Sequence, residues 1–482
     1  MDQNRTPLYD AILDFINKDY APFMVPGHKM GKGINPKWKD YVSENIFKMD
    51  LCEVEGLDDM QNPSGVIKES LKLAADAFGA DRTFSLVNGT SVGIIAAIMT
   101  VANNGDKIIV PRNAHRSVAS ALIISGAKPV WAMPELEKNL GLVGGMLPET
   151  IKELYKTENI SALFAVSPSY HGICTDLKKL IDIAHKNNNP IIADEAHGNH
   201  THFYDALPKD ALSLGADITC QSIHKMVGSL TQSSYLHMQG DRIDIGRLKS
   251  NISMLHTTSP SYLLQVSLEL ARSYIAVKGR KILAELLENL NEARTKLKAL
   301  PGIDVLDKSI IGKAAIFDYE PIRLVISTKD LGIRGYEVFE ILKKEYRVEP
   351  EFGDYFYTIA VAGIGTTKED IDKLVAAFTD ISKRFYGKNK PLEWNEKMPA
   401  LPPIKLSPRE AWFAKTERIP WQKAKGRISS ELIVPYPPGI PAVCPGEEIT
   451  DEIFEFIENH RLNGKQLHGT KDETLETLLV VK

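Results

Sequence analysis

The feature that most constrains the fold is a run, from residue 83 to about residue 225, in which short apolar segments alternate with helical patterns. The apolar segments read T-F-S-L-V, K-I-I-V-P, K-P-V-W-A-M, A-L-F-A-V and P-I-I-A-D, and each is typical of a buried strand. Strands that alternate with helices predict parallel βαβ units, and therefore an α/β fold with a mostly parallel, doubly wound sheet. Ligands of such sheets bind at the carboxyl ends of the strands.

The pattern changes twice further along the chain. A long helical segment at 262–297 ends near Pro301, and the strand-like and helical segments that follow predict a small α+β domain. Proline becomes frequent after residue 390, in a segment whose apolar content indicates packed structure rather than disorder. The predicted divisions are an N-terminal arm (1–45), a large domain (46–300), a small α+β domain (301–390) and a C-terminal domain (391–482).

Composition argues against several classes of protein. The formal net charge of −4 gives no electrostatic footprint for nucleic acid, and no apolar run approaches the length of a membrane helix. The four cysteines have no C-x-x-C spacing, so neither a thiolate zinc site nor a disulfide framework is indicated. We expect a cytoplasmic protein with neither a nucleic-acid nor a membrane partner.

The stretch I-I-A-D-E-A-H-G-N-H-T-H at 191–202 admits three interpretations. Its Asp-Glu-Ala-His resembles a helicase box, but no phosphate loop of the form G-x-x-x-x-G-K-[ST] accompanies it, which argues against an NTPase. His197, His200 and His202 could ligate zinc or iron in a metal-dependent hydrolase, although their spacing matches no familiar motif. In the third interpretation, which we favour and which needs no metal, Asp194 binds an organic cofactor.

A lysine supports the cofactor interpretation. Lys225, in S-I-H-K, follows a strand-like segment and is therefore expected at the same sheet edge as Asp194. A lysine that forms a Schiff base and an aspartate that keeps a pyridine nitrogen protonated are what pyridoxal phosphate (PLP) requires. Most lysines lie on the solvated surface. The presence of Asp194 and Lys225 alone therefore does not decide between a surface lysine and a cofactor-binding lysine.

Two more segments fit the same cofactor. Gly89, Thr90 and Ser91 lie where a strand ends and a helix begins, and the free amides of a helix start attract a phosphate dianion. His115 follows the strand at 107–110, so it falls at the same sheet edge and could stack on the pyridine ring. Each segment alone has an ordinary structural explanation, and their order along one sheet favours the cofactor.

Together, six segments resemble the bacterial ornithine/lysine/arginine decarboxylases of PLP fold type I, the aspartate-aminotransferase type. They are P-G-H-K (26–29), G-T-S (89–91), N-A-H-R-S (113–117), D-E-A-H-G (194–198), S-I-H-K (222–225) and V-P-Y-P-P-G-I-P (434–441). The resemblance implies that Lys225 is the Schiff-base lysine, Asp194 the partner of the pyridine nitrogen and His115 the stacking imidazole. The residues implied to hold the phosphate are Thr90, Ser91, Ser222 and His224.

The resemblance further implies that Ala196 packs under the other face of the ring and that His197 lines the substrate side. Either Lys225 or His224 would protonate the substrate at Cα. A basic substrate side chain calls for a carboxylate in the pocket. Glu447, in C-P-G-E, is the candidate, and Asp58 and Asp59 are weaker ones.

The chain begins near the segment that leads into the cofactor domain, and so resembles the short form of the family, without a flavodoxin-like wing domain. That form is often an arginine decarboxylase that makes agmatine for polyamine synthesis. The alternatives are decarboxylation of lysine or ornithine. An aminotransferase or lyase reaction is a weaker alternative. The fold type implies an active site between two subunits and therefore at least a homodimer, in which T-T-S-P-S-Y (257–262) reaches the partner's cofactor phosphate.

Overall fold

The computed structural model describes residues 1–393, 398–436, 439–462 and 466–482. Residues 437 and 438, within the V-P-Y-P-P-G-I-P segment, lie outside the described residues. Within the described ranges, no helix is long and apolar enough to cross a membrane.

The helices are, in chain order, α1 (Pro7–Asn17), α2 (Pro36–Val42), α3 (Asn45–Met49), α4 (Val66–Phe78), α5 (Gly89–Val101), α6 (Arg116–Ser125), α7 (Pro148–Thr157), α8 (Leu177–Lys186), α9 (Ala211–Leu214), α10 (Ile223–Met226), α11 (Ile245–Leu255), α12 (Tyr262–Lys298), α13 (Gly335–Tyr346), α14 (Lys368–Phe385), α15 (Pro408–Phe413) and α16 (Asp451–Leu462).

The strands are β1 (Arg82–Leu86), β2 (Lys107–Pro111), β3 (Lys128–Ala132), β4 (Leu136–Glu137), β5 (Leu142–Val143), β6 (Ile160–Val166), β7 (Ile173–Cys174), β8 (Ile191–Asp194), β9 (Ile218–Gln221), β10 (Ser234–Met238), β11 (Asp304–Val305), β12 (Asp318–Tyr319), β13 (Arg323–Ser327), β14 (Phe352–Gly353), β15 (Tyr357–Val361), β16 (Thr416–Pro420), β17 (Val434–Tyr436), β18 (Gln466–His468) and β19 (Thr477–Val481).

The chain divides into two compact units, each assembled from segments that are distant in the sequence. The first unit consists of Met1–Thr100, Pro190–Glu285 and Gly363–Gly365. The second consists of Val101–Asn189, Leu286–Ala362 and Thr366–Lys482. The four-part division expected from the sequence uses other boundaries and stays a prediction.

Four strands of the first unit are ordered β1-β10-β9-β8. Strands β8 and β9 are parallel, with Asp194 opposite Cys220, whereas β10 is antiparallel to both β9 and β1. Every residue of β8 and β9 is buried, which explains their continuous apolar sequences. Because β8 and β9 run in the same direction, Asp194 and the S-I-H-K segment after β9 lie at one edge of the sheet.

Helices α1 and α12 pack together beside these strands. Helix α1 buries Leu8, Ile12 and Phe15, which share one helical face, in a cluster that includes Tyr262 of α12. The buried carboxylate of Glu269 accepts the backbone N–H groups of Leu8 and Tyr9 at 3.2 and 2.8 Å. The first turn of a helix leaves such amides without partners, so α12 also completes the start of α1.

The second unit contains three parallel strands ordered β6-β2-β3 and a separate antiparallel sheet ordered β11-β13-β15-β14. Helices α13 and α14 and strands β13 and β15 correspond to the segments from which the sequence predicts a small α+β region. Towards the C-terminus, β16 pairs with β19 and β17 with β18, around a core in which Trp421 stacks on Phe454 with ring centroids 4.6 Å apart.

Candidate functional site

Two side chains of opposite charge lie where the parallel strands β8 and β9 end. Asp194 closes β8, is 5% exposed, and accepts the N–H of Ala196 at 3.1 Å. Lys225 lies in α10, just after β9, and its Nζ is 2.8 Å from Nε2 of His197. Burial raises the pKa of the Asp194 carboxyl, and the Ala196 hydrogen bond and the charge of Lys225 only partly offset that rise. A cation placed against this buried carboxylate would therefore stabilise its charged form.

Three hydroxyl groups meet near the start of α5. Oγ1 of Thr90 is 2.5 Å from Oγ of Ser222 and 2.7 Å from Oγ of Ser234, and all three residues are buried. Gly89 has a φ of 80°, a left-handed conformation that side chains other than glycine disfavour, at the turn from β1 into α5. Ser91 is exposed in the first turn of α5. Helix amides and clustered hydroxyls are suited to binding a phosphate.

The sequence does not identify Ser234 as part of this cluster. It begins β10, a strand that reaches Thr90 because β10 lies beside both β1 and β9. Thr90 and Ser234 are 144 residues apart in the chain, and no periodic pattern connects them.

Asn199 is a second residue that the sequence does not single out. Its side chain is completely buried, and Nδ2 donates to the carbonyl oxygen of Ser222 at 2.7 Å and to that of Ala196 at 3.3 Å. The amide therefore fixes the loop that follows β8 against the start of α10. Asp194 and Lys225 lie on the two segments that Asn199 joins.

His224 and Glu195 each have hydrogen-bond partners within the first unit. Nδ1 of His224 is 2.8 Å from the carbonyl oxygen of Ser233, so Nδ1 carries a proton, because a carbonyl oxygen can only accept. Glu195 is 2% exposed, and its carboxylate accepts from the N–H of Ala211 at 2.9 Å and from Nε2 of Gln221 at 2.7 Å. Burial raises the pKa of Glu195 well above its usual value. Glu195 thus ties the end of β8 to β9 and α9.

The three histidines of 191–202 have different surroundings. His197 contacts Lys225, Nδ1 of His202 lies 3.1 Å from Oδ2 of Asp210, and His200 is completely buried. In the part of the chain that the structure describes, no group of three or more His, Cys, Asp or Glu side chains is arranged to hold a metal ion. The three histidines therefore differ in burial and in the contacts of their rings.

His115 belongs to the second unit, where it caps α6. Its Nδ1 accepts the N–H of Ser117 at 3.2 Å and lies 2.9 Å from the Ser117 hydroxyl, and the residue is exposed. The stacking of His115 on a cofactor ring stays a prediction, as does the packing of Ala196, which is half-buried beside Asp194.

Glu447 lies in a buried ion pair of the second unit. It is 1% exposed, and its two oxygens accept from Nη1 and Nη2 of Arg112 at 2.5 and 2.7 Å. The N–H of Cys444 donates to the same carboxylate at 2.6 Å. Arg112 and Cys444 thus hold this carboxylate within the second unit, and the substrate contact expected for Glu447 stays a prediction.

The side chains of the weaker acidic candidates, Asp58 and Asp59, also accept hydrogen bonds from nearby backbone groups. The Asp58 carboxylate accepts the backbone N–H groups of Ser64, Gly65 and Ile67, which fixes the loop that leads into α4. Asp59 accepts the N–H of Gln61 at 2.7 Å.

Comparison with known proteins assigns the chain to a family. Residues 6–370 match the model of the Orn/Lys/Arg decarboxylase major domain, and residues 394–475 match that of the Orn/Lys/Arg decarboxylase C-terminal domain. The chain belongs to the Orn/Lys/Arg decarboxylase family. The arginine decarboxylase of Bacillus subtilis (strain 168) is 40% identical over 100% of this chain and 99% of that protein. That of Halalkalibacterium halodurans is 39% identical over 100% of this chain and 98% of that protein.

Solved structures confirm the fold class. The lysine decarboxylase of Francisella novicida superposes with a TM-score of 0.85 at 22% identity, covering 99% of this chain and 81% of that one. The ureidoglycine-glyoxylate aminotransferase of Bacillus subtilis gives a TM-score of 0.53 at 14% identity, covering 67% of this chain and 86% of that one. The predicted α/β fold of PLP type I is therefore confirmed, and family membership makes the chain an amino-acid decarboxylase, as the sequence predicts.

Proposed function

We propose that this enzyme decarboxylates L-arginine to agmatine and CO2 with PLP as its cofactor. The observation that carries the cofactor assignment is the pair formed by a buried carboxylate, Asp194, and an accessible amine, Lys225, at the ends of two neighbouring parallel strands. The preference for arginine follows from the arginine decarboxylases that are 38–40% identical to this chain over nearly its whole length.

The residues of the first unit fit each part of PLP. The Asp194 carboxylate, whose pKa is raised by burial, would be stabilised in its charged form by a protonated ring nitrogen. The hydroxyl groups of Thr90, Ser222 and Ser234, with the first amides of α5, suit the phosphate. The Lys225 amine suits the aldehyde, which it would hold covalently as a Schiff base.

When bound, PLP supplies an electron-poor ring that accepts the electron pair left at Cα after CO2 departs. Asp194 would keep a proton at the ring nitrogen and so maintain the positive charge of the ring. Lys225 must be a neutral amine to react with a carbonyl, and Nε2 of His197, 2.8 Å from Nζ, can accept the proton that Lys225 gives up.

The same pair suits the final protonation at Cα. Of the two candidates that the sequence leaves open, Lys225 can receive a proton from His197 and deliver it from Nζ. The Nδ1 proton of His224 is engaged by the carbonyl oxygen of Ser233, 2.8 Å away, and is therefore not available for transfer to Cα. We therefore assign protonation at Cα to Lys225, with His197 as its proton partner.

The substrate assignment is tested by incubating the purified, PLP-loaded protein with L-arginine, L-lysine and L-ornithine in separate reactions. We expect CO2 and agmatine from arginine at a kcat/KM well above that for the other two amino acids. Cadaverine or putrescine as the principal product would overturn arginine but keep decarboxylation. Turnover that requires an added keto acid would instead indicate an aminotransferase. The Lys225→Ala variant is the inactive control.

We also propose a homodimer as the minimal assembly. The N-terminal arm exposes large apolar side chains, with Phe23 93% and Tyr41 90% exposed, and exposed apolar surface often marks an interface. Light scattering coupled to size exclusion should give about twice the chain mass of 53.6 kDa. A mass equal to one chain at micromolar concentration, in an active preparation, would contradict the dimer.

A further inference from the structure

A second concave site lies in the first unit. It is a cleft of about 370 Å³ between α4, β1, α11 and the loop at residues 60–63. Asp194, Lys225 and the Thr90 hydroxyl cluster are not among the residues that line it. The decarboxylation chemistry therefore gives this cleft no role.

The two helices present matching faces to the cleft. Helix α4 contributes Lys68, Leu71, Lys72 and Ala75, and the α11 segment contributes Lys249, Ile252, Ser253 and His256. Both sets have the spacing i, i+3, i+4, i+7, which brings side chains onto one face of a helix. Each face therefore combines apolar side chains with cationic ones.

The charge of the cleft is predominantly positive. Lys68, Lys72, Arg82 and Lys249 line it, against the single acid Asp81, which accepts the N–H of Gly240 at 2.8 Å. None of the four cations forms an ion pair with an acid of the described chain. Cationic side chains around a concave surface raise the local concentration of anions.

The lining of the cleft combines apolar side chains with a buried imidazole. Leu71, Phe84 and Ile252 line it, and the adjoining imidazole of His256 is only 7% exposed. Nε2 of His256 is buried and has no hydrogen-bond partner within the described residues. Burial lowers the pKa of His256 to about 4, so the ring is neutral near pH 7. A buried polar atom without a partner is costly, and a bound ligand could supply the missing hydrogen bond.

We infer that this cleft binds a small organic phosphate of about mononucleotide size, with its phosphate on the cations and its flat, apolar part against Phe84 and Ile252. The volume is within the range of small-molecule pockets, about 300–1,000 Å³. The four cations match a multiply charged anion better than a neutral or cationic ligand. This binding goes beyond the proposed decarboxylation and does not depend on it.

Isothermal titration calorimetry tests the inference on the PLP-loaded enzyme, with AMP, ATP and inorganic pyrophosphate as probes. We expect saturable binding of AMP or ATP that weakens as salt is raised. The Lys72→Glu/Lys249→Glu variant should lose about tenfold or more in affinity. The control variant Lys209→Glu/Lys278→Glu makes the same charge change at exposed positions outside the cleft and should bind as the wild type does.

Several results would overturn the inference. One is the absence of heat with every probe, and another is an equal loss of affinity in both double variants. A third is release of PLP by the probe, seen as loss of the visible absorbance of bound cofactor, because the probe would then occupy the cofactor phosphate site. If Lys72→Glu/Lys249→Glu does not fold, the milder Arg82→Gln replaces it, and unchanged affinity in Arg82→Gln would count against the cleft. Decarboxylation without added nucleotide should be unchanged in all folded variants.

Discussion

Replacing Asn199 with alanine removes the side chain that joins the loop after β8 to the start of α10. In the native protein its Nδ2 donates to the carbonyl oxygens of Ser222 and Ala196, and the side chain is completely buried. The variant keeps Asp194 and Lys225 chemically intact. It therefore tests whether their relative placement, rather than their identity alone, determines cofactor binding.

The loss of stability expected for Asn199→Ala follows from these two hydrogen bonds. Ser222 is 2% exposed, so its carbonyl oxygen loses a donor that water replaces poorly, at about 1–3 kcal/mol. The longer bond to Ala196, which is half-buried, adds about 0.5–1.5 kcal/mol. We expect the free energy of unfolding of the PLP-free protein to fall by about 1.5–4.5 kcal/mol. PLP affinity should also fall, because Asn199 would no longer join the two segments that are proposed to hold PLP.

Urea unfolding of the PLP-free protein measures the free energy of unfolding. Titration with PLP, followed by visible absorbance, measures PLP affinity. The matched control is Asn251→Ala, which removes a partly buried amide bonded to the Thr100 hydroxyl at 3.0 Å, away from the candidate site. Asn251→Ala should lower stability modestly and leave PLP affinity unchanged. A stable Asn199→Ala variant with wild-type PLP affinity would refute the positioning role. Equal losses of PLP affinity in both variants would show that the effect is only loss of stability.

Other substitutions separate structural from chemical roles. Asp194→Asn should still bind PLP but lose nearly all decarboxylation, and normal kcat in a single-turnover assay would show that Asp194 does not control the ring. Glu447→Gln should leave the Arg112 charge buried without its partner and lower the free energy of unfolding by about 3–5 kcal/mol. A large rise in KM for arginine without loss of stability would instead support the substrate role predicted for Glu447. Burial lowers the pKa of His237 to about 3, below its ordinary 6.5, so the folded state favours the neutral ring. The contribution of neutral His237 to the free energy of unfolding is complete above pH 6.5. It declines by about 1.4 kcal/mol per pH unit as pH falls towards 3. His237→Gln, which keeps a polar partner for Thr83, should flatten the decline of urea-unfolding free energy between about pH 6.5 and about pH 5, and an unchanged slope would contradict this assignment.

The parts of the fold that the sequence predicts are those with a local cause. Strands β8 and β9 are buried on both faces, so they leave continuous apolar runs that stand out from the amphipathic helices around them. Their parallel direction follows from the helices that alternate with them, and it brings Asp194 and Lys225 to one edge. The direction of β10 does not follow in this way. It is antiparallel to both neighbours, and the alternation of strands and helices carries no signal for that pairing.

The same distinction explains which site residues the sequence misses. Thr90 and Lys225 are found because a helix start and a strand end have local signatures. Ser234 and Asn199 are missed because their roles come from contacts with residues far along the chain or from burial alone.

Glu447 shows a different case, in which the local sequence identifies a residue but not the partner that the structure gives it. Its local sequence, C-P-G-E after a proline-rich segment, identifies an acid in a constrained turn but not the partner of that acid. The partner is Arg112, 335 residues earlier, and the two side chains meet with almost no exposure to solvent. A buried carboxylate is tolerated only when a cation or several donors neutralise it, so Glu447 needs Arg112 whether or not the enzyme binds substrate. The acid that binds a basic substrate has to reach a ligand that comes and goes, and its side chain must therefore be accessible in the free enzyme. That physical requirement, rather than the position of an acid in a motif, should guide the search for the residue that selects arginine.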